Sequence, residues 1–176
     1  MCYTEFMKYD YVTLYEKNVK FYKSRPKAKR FLRLSNTLLT VFFCLAYATL
    51  LILTLIDLPD VYDLTQILGV PTLAFLLSST LRVIVDRNRP YDEDGANITP
   101  LVPKKNAKKS FPSRHAACAS AIAVLFFSFI PAVGALLAVL TLGVAYVRFA
   151  VGLHYPSDLA AGVLVGVISA LLGLLI

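Results

Sequence analysis

The chain has 176 residues, 57% of them hydrophobic and only 16% charged, with a mean hydropathy of +0.65. A soluble domain of this length carries about a quarter charged residues, so the composition argues against one and for a membrane protein. The net charge of +7 does not point to nucleic acid, because the basic residues flank apolar runs and an anionic lipid surface accounts for them more simply.

Residues 1–33 form a polar, basic lead-in without the apolar stretch and cleavage site of a signal peptide, so insertion is expected to use internal spans. Within it Val12, Tyr15, Val19 and Tyr22 recur at helical spacing, with Lys17, Lys20 and Lys23 off that stripe. This spacing predicts an amphipathic helix ending near Pro26, lying either on the membrane surface or on the protein's own polar face.

An uncharged run of 23 residues, Leu34 to Ile56, is long enough for one span. An acidic turn at 57–63 separates it from a second uncharged run, Leu64 to Leu81, whose helix is expected to continue through Arg82 towards Arg89. Residues 90–112 are the one long loop, with prolines at 90, 100, 103 and 112 and a basic cluster at Lys104, Lys105, Lys108 and Lys109. From Ala116 to Val147 no charge occurs over 32 residues. As one helix this stretch would run about 48 Å, against a hydrocarbon core of about 30 Å, so two short spans meeting near Pro131 fit better. The last run, Leu159 to Ile176, makes a fifth span. The expected fold is all-α: a polytopic membrane bundle of about five transmembrane helices plus the N-terminal surface helix, with residues 34–176 as the membrane-embedded domain.

Charges at the ends of spans are costly and mark functional candidates. Three groups occur. Arg82 and Arg89, seven apart, would lie two turns apart on one helix face, ahead of Pro90. Ser113, Arg114 and His115 directly precede an apolar helix, where Ser113 can cap the N-terminus and the exposed amides offer an anion site. Arg148, His154 and Asp158 surround Pro156, where a new helix is expected to start. Each group alone has a plainer reading: Arg82 and Arg89 can pair with Asp86 or reach lipid phosphates, and a histidine at a span boundary is commonly only an interfacial residue. With five spans, however, all three groups emerge on one membrane face and can converge on one phosphate. The three cysteines, Cys2, Cys44 and Cys118, are far apart and support neither a metal site nor a disulfide framework. Asp92, Glu93 and Asp94 read as a solvated tip, so neither metal nor cofactor is expected.

Taken together, Arg82-x6-Arg89-Pro90, Pro112-Ser113-Arg114-His115 and Arg148-x5-His154-x3-Asp158 resemble the three-part signature of the type-2 phosphatidic acid phosphatase superfamily. That family includes bacterial phosphatidylglycerophosphate and undecaprenyl diphosphate phosphatases and shares its site with vanadium haloperoxidases. The resemblance covers about residues 64–176. The chain departs from the usual pattern by Arg82 for Lys, Arg114 for Gly and Val147 for Ser, and by five expected spans where many members have six.

The resemblance implies a membrane-lipid phosphatase in which His154 is the nucleophile and Asp158 orients it. His115 would protonate the leaving oxygen and then activate water. Arg82, Arg89 and Arg148, with Ser113 and the nearby amides, would hold the phosphate, and Arg114 would add a phosphate contact or face lipid headgroups. The expected partners are a membrane lipid phosphate and the bilayer. Polyprenyl diphosphate, phosphatidylglycerophosphate and phosphatidic acid are all open, as is passage of the phosphate to a second lipid. A non-catalytic protein binding anionic lipid is the reading from another class. All eighteen Lys and Arg fall within 1–33 or 82–114 or at 148, while 57–63 carries only Asp57, Asp60 and Asp63. The positive-inside rule then places the multi-pass protein with its site on the cytoplasmic face of the cell membrane.

Overall fold

Proline sets where three of the helices begin. In the computed structural model, which describes residues 3–56, 60–92, 100–102 and 109–175 and the side chains from residue 13 onward, six helices follow in order. They are α1 (Tyr3–Lys23), α2 (Pro26–Ile56), α3 (Val61–Val85), α4 (Arg114–Phe129), α5 (Pro131–Ala150) and α6 (Pro156–Gly173). Pro26, Pro131 and Pro156 each open a helix, where the missing N–H is no loss and the fixed φ is already helical. The expected tight turn at Pro131 is present: Ile130 N donates to Phe126 O at 2.7 Å, and Gly134 N to Ile130 O at 3.0 Å.

Helices α2, α3, α5 and α6 are long and apolar enough to cross a membrane, and α4 is a shorter apolar helix. At 16 residues α4 rises about 24 Å, and it is the central element. Ala116, Ala117, Ala119, Ala121, Ala123, Leu125 and Phe126 are all buried, as befits a helix that is apolar all round. The outer helices turn large apolar side chains outward, including Leu38, Leu45, Ile84, Val139, Leu142, Leu164 and Ile168. Exposed apolar surface on this scale suits hydrocarbon and not water. This is a multi-pass membrane bundle.

Small residues bring α4 and α6 together. A Cβ on Gly162 would lie 2.6 Å from Ser113 O, and one on Gly166 would lie 2.1 Å from Ala117 O. The four-residue spacing lets the two backbones touch, as small residues do in membrane helix pairs. Ser120 Oγ crosses the same seam to Val163 O at 3.1 Å.

Of the two placements open to the N-terminal helix, the described residues take the second. Tyr15 is 1% exposed, and Val19 and Tyr22 pack against a cluster containing Leu32, Val147 and Val151. Asn18 Nδ2 donates to Ala150 O at 2.9 Å, so the apolar stripe docks on the end of α5. Val12's side chain lies outside the described residues, as do Lys104, Lys105, Lys108, Glu93, Asp94 and Asp57.

Candidate active site

The site forms where the C-termini of α3 and α5 meet the N-termini of α4 and α6. Contrary to expectation, Arg82 and Arg89 do not share a helix face. The α3 helix stops at Val85, and Asp86 adopts a left-handed conformation at φ 42° and ψ 40° while its amide bonds Arg82 O. Asp tolerates that region better than most residues, which suits it to a helix end. Beyond it Ser110 N donates to Arg87 O at 2.7 Å, drawing the strand of chain out of helical register. Asp86 pairs with Lys109 at 3.4 Å and with neither motif arginine.

Arg82, still on α3, reaches the loop before α4: its Nε donates to Pro112 O at 2.8 Å and its Nη2 to Ser110 O at 3.4 Å. The guanidinium thus braces the backbone around Ser113. A fork-shaped donor can hold two carbonyls in this way where an ammonium is a point charge. Ser113 caps α4, accepting from Ala116 N at 3.5 Å, and its own N–H donates to Asp158 O at 2.9 Å. The second and third motifs are therefore joined backbone to backbone.

In the third motif Arg148 ends α5 and donates from Nη2 to Thr40 Oγ1 of α2 at 3.2 Å. His154 lies in the connection to α6, and Asp158 in the first turn of that helix accepts from Tyr155 N at 2.9 Å, a capping arrangement that fixes the carboxylate. His154 Nδ1 stands 3.6 Å from Asp158 Oδ2, with both side chains almost wholly buried. Ser110 Oγ donates to Asp158 Oδ2 and lies 3.5 Å from His154 Nδ1. Arg89 Nη1 holds Leu153 O at 3.1 Å, while its buried Nε has no hydrogen-bond partner among the described residues.

Burial pushes the His154 imidazole down to about 4, reinforced by Arg89 and Arg82 and opposed by its bond to Asp158. The ring is neutral at pH 7, with Nε2 as the nitrogen not directed at Asp158. Arg82 lies within electrostatic reach of Arg114, Arg89 and Arg148, so four guanidinium groups share one region. Like charges gather this way where an anion is to be bound.

Arg114 and His115 open α4 and border an apolar space as well. Both line a cavity of about 340 Å³ walled by Phe43, Cys44, Phe75, Cys118, Ile122 and Val144. The Arg114 guanidinium carbon sits 5.5 Å from the centroid of the Phe75 ring. Among the described residues no group of three or more His, Cys, Asp or Glu side chains clusters.

The PAP2 superfamily model matches residues 63–176, which takes in all three motifs. The chain belongs to the PAP2 superfamily. Over 75 residues it is 41% identical to the bacitracin transport permease protein BcrC of Bacillus licheniformis, covering 43% of this chain. That alignment spans only 36% of the relative's length. The crystal structure of Aquifex aeolicus LpxE is similar at a TM-score of 0.62 and 25% identity, over 84% of this chain and 94% of that one. A PAP2-type transmembrane phosphatidylglycerolphosphate phosphatase from Bacillus subtilis shares the fold, with a TM-score of 0.52 at 18% identity over 96% of this chain and 94% of that one.

Two residues of this PAP2 site lie outside the positions singled out from the sequence. Arg87 donates from Nη1 to Asp158 Oδ1 at 2.9 Å and to Ser157 Oγ at 2.8 Å, and stacks 4.0 Å above the Tyr155 ring. Ser110 is fully buried between the histidine and the aspartate. The available signal was slight: Arg87 falls between two motif arginines, and Ser110 is a small hydroxyl residue three positions before the helix cap.

Proposed function

We propose that this PAP2 protein hydrolyses a phosphomonoester or diphosphate on a membrane lipid through a phosphohistidine on His154. The observation that carries the reading is the buried His154–Asp158 pair set among Arg82, Arg89 and Arg148 at the capped N-terminus of α4. A neutral imidazole whose Nδ1–H faces a carboxylate presents Nε2 as a nucleophile. Converging guanidinium groups and helix amides stabilise the charge on the equatorial phosphate oxygens.

In the first step His154 Nε2 bonds to phosphorus as the bond to the lipid-side oxygen breaks. The electron pair leaves with that oxygen, which takes a proton from His115. In the second step His115 removes a proton from water, the water oxygen bonds to phosphorus, and the P–N bond breaks to release inorganic phosphate and neutral His154. His115 borders the apolar cavity, which suits a leaving group that carries a hydrocarbon tail. The distribution of Lys and Arg supports a site on the cytoplasmic face.

The test is turnover with a lipid labelled at its terminal phosphate, quenched in alkaline detergent and run on wild type, His154→Ala and His115→Ala. An acid-labile, alkali-stable label on wild-type protein, lost in His154→Ala together with turnover, is the expected result. Phosphate release by His154→Ala within tenfold of wild type would eliminate the scheme.

A further inference from the structure

We infer that Arg114 binds a second phosphate, one that stays on the lipid after cleavage, so that the preferred substrates carry two phosphates in their headgroup. The inference rests on the phosphatase reading above and narrows its substrate class.

Arg114 stands at a boundary. On one side it is within electrostatic reach of Arg82, which braces the phosphate loop. On the other it lines the apolar cavity beside His115, with its guanidinium over Phe75. Among the described residues it forms no ion pair with a carboxylate. A lipid with its scissile phosphate among Arg82, Arg89 and Arg148 and its tail in this cavity would pass Arg114 between the two. If that stretch were a neutral ester linkage, a half-buried guanidinium would lose hydration there without gaining a counter-charge. A retained phosphate supplies the counter-charge and the planar two-oxygen acceptor that guanidinium pairs with best. The cavity of about 340 Å³, walled by Phe43, Phe75, Cys118, Ile122 and Val144, then receives the start of the tail.

Two headgroup chemistries satisfy this. In a lipid diphosphate the retained phosphate is bonded directly to the departing one; in a phosphatidylglycerophosphate it is a phosphodiester three carbons away. Three dioleoyl lipids with identical tails separate them: diacylglycerol diphosphate, phosphatidylglycerophosphate and phosphatidic acid, which retains no phosphate. Initial rates of phosphate release by the purified full chain give kcat/KM for each. We expect Arg114→Ala to lose at least tenfold more kcat/KM on one of the two-phosphate lipids than on phosphatidic acid, and Arg114→Lys to recover part of that difference. The lipid that suffers most identifies the spacing. Where the alanine variant does not fold, Arg114→Gln serves with the same readout. Equal losses on all three lipids would overturn the role of Arg114 and leave the phosphatase reading intact. Release by wild type from none of them, nor from a polyprenyl diphosphate, would sink both.

Discussion

Arg87 Nη1 lies 2.9 Å from Asp158 Oδ1, so the carboxylate behind His154 is shared between an imidazole and a guanidinium. Asp158 is completely buried and Arg87 about two-fifths exposed. A charge-assisted bond to such a group contributes about 1.5–3 kcal/mol, and here it fixes the oxygen that does not face the histidine. Arg87→Ala is expected to lower kcat by about ten- to hundredfold, with a smaller change in KM. Asp158→Asn, which removes the negative charge and turns one acceptor oxygen into an NH2 donor, is expected to cost more, about 10⁴-fold as in other histidine–aspartate pairs. Steady-state kinetics on the two variants decide it: an Arg87→Ala enzyme with unaltered kcat would mean that the bonds from Tyr155 N and Ser110 Oγ suffice to hold Asp158.

The pH dependence follows from the His154 imidazole, pushed down to about 4 from an ordinary 6.5. The proposed nucleophile is therefore unprotonated well below neutrality, and kcat/KM, which reports the free enzyme, should show no loss through pH 6.5 from this group. Stability runs the same way. Between pH 6.5 and 4 the unfolded chain binds a proton that the folded chain does not, so stability falls as the pH drops through that window and is unaffected by this group above it. The chain has only two histidines, so imidazole resonances of a His115→Gln variant in micelles isolate His154. A midpoint at or above 6.5 would contradict the buried neutral state.

Vanadate, which adopts five-coordinate geometry, should inhibit competitively by occupying the cradle of Arg82, Arg89 and Arg148. Saturating EDTA is expected to leave turnover within twofold, because in the proposed scheme fixed guanidinium groups take the role that Mg²⁺ has in many phosphoryl-transfer sites. Loss of activity in chelator that Mg²⁺ restores would show that the arginines do not suffice.

Sidedness can be read from two positions at opposite ends of the bundle, one exposed and one half-buried. Asp60 precedes α3, and Lys109 lies beside the site, paired with Asp86 at the protein surface. With Cys2, Cys44 and Cys118 replaced, a single cysteine at either position is tested in intact cells with an impermeant maleimide. Labelling at 60 and not at 109 is expected for a cytoplasmic site; the reverse pattern places the chemistry on the outer face.

The three motifs were legible because each sits at a span end, where charge has few other reasons to occur, and the apolar runs fixed the order of those ends. The placement of Pro131 and Pro156 likewise gave the turn before α5 and the start of α6. The end of α3 was not legible. Heptad spacing of Arg82 and Arg89 matches a helix as well as it matches a helix followed by a turn, and only the pairing of Ser110 N with Arg87 O chooses between them. Ser110 and Arg87 were hidden for the same reason, since a loop residue's neighbours are set by tertiary contact and not by period. The N-terminal stripe had two equally good surfaces to meet, and buried Tyr15 and bonded Asn18 show which one it took.

Gly162 and Gly166 set Ser113 and Asp158 by close backbone approach of α4 and α6, with only small side chains such as Ala116 and Ser120 in the seam to absorb change. The opposite wall of the site, where Phe43, Cys44 and Phe75 face the cavity, is built from side chains of α2 and α3. A volume change there alters what fits and leaves the spacing of the reacting groups alone. The molecule is thus divided into a half whose dimensions are fixed and a half that can be recut. Over generations, lipid preference can drift on the second while the chemistry of the first stays put.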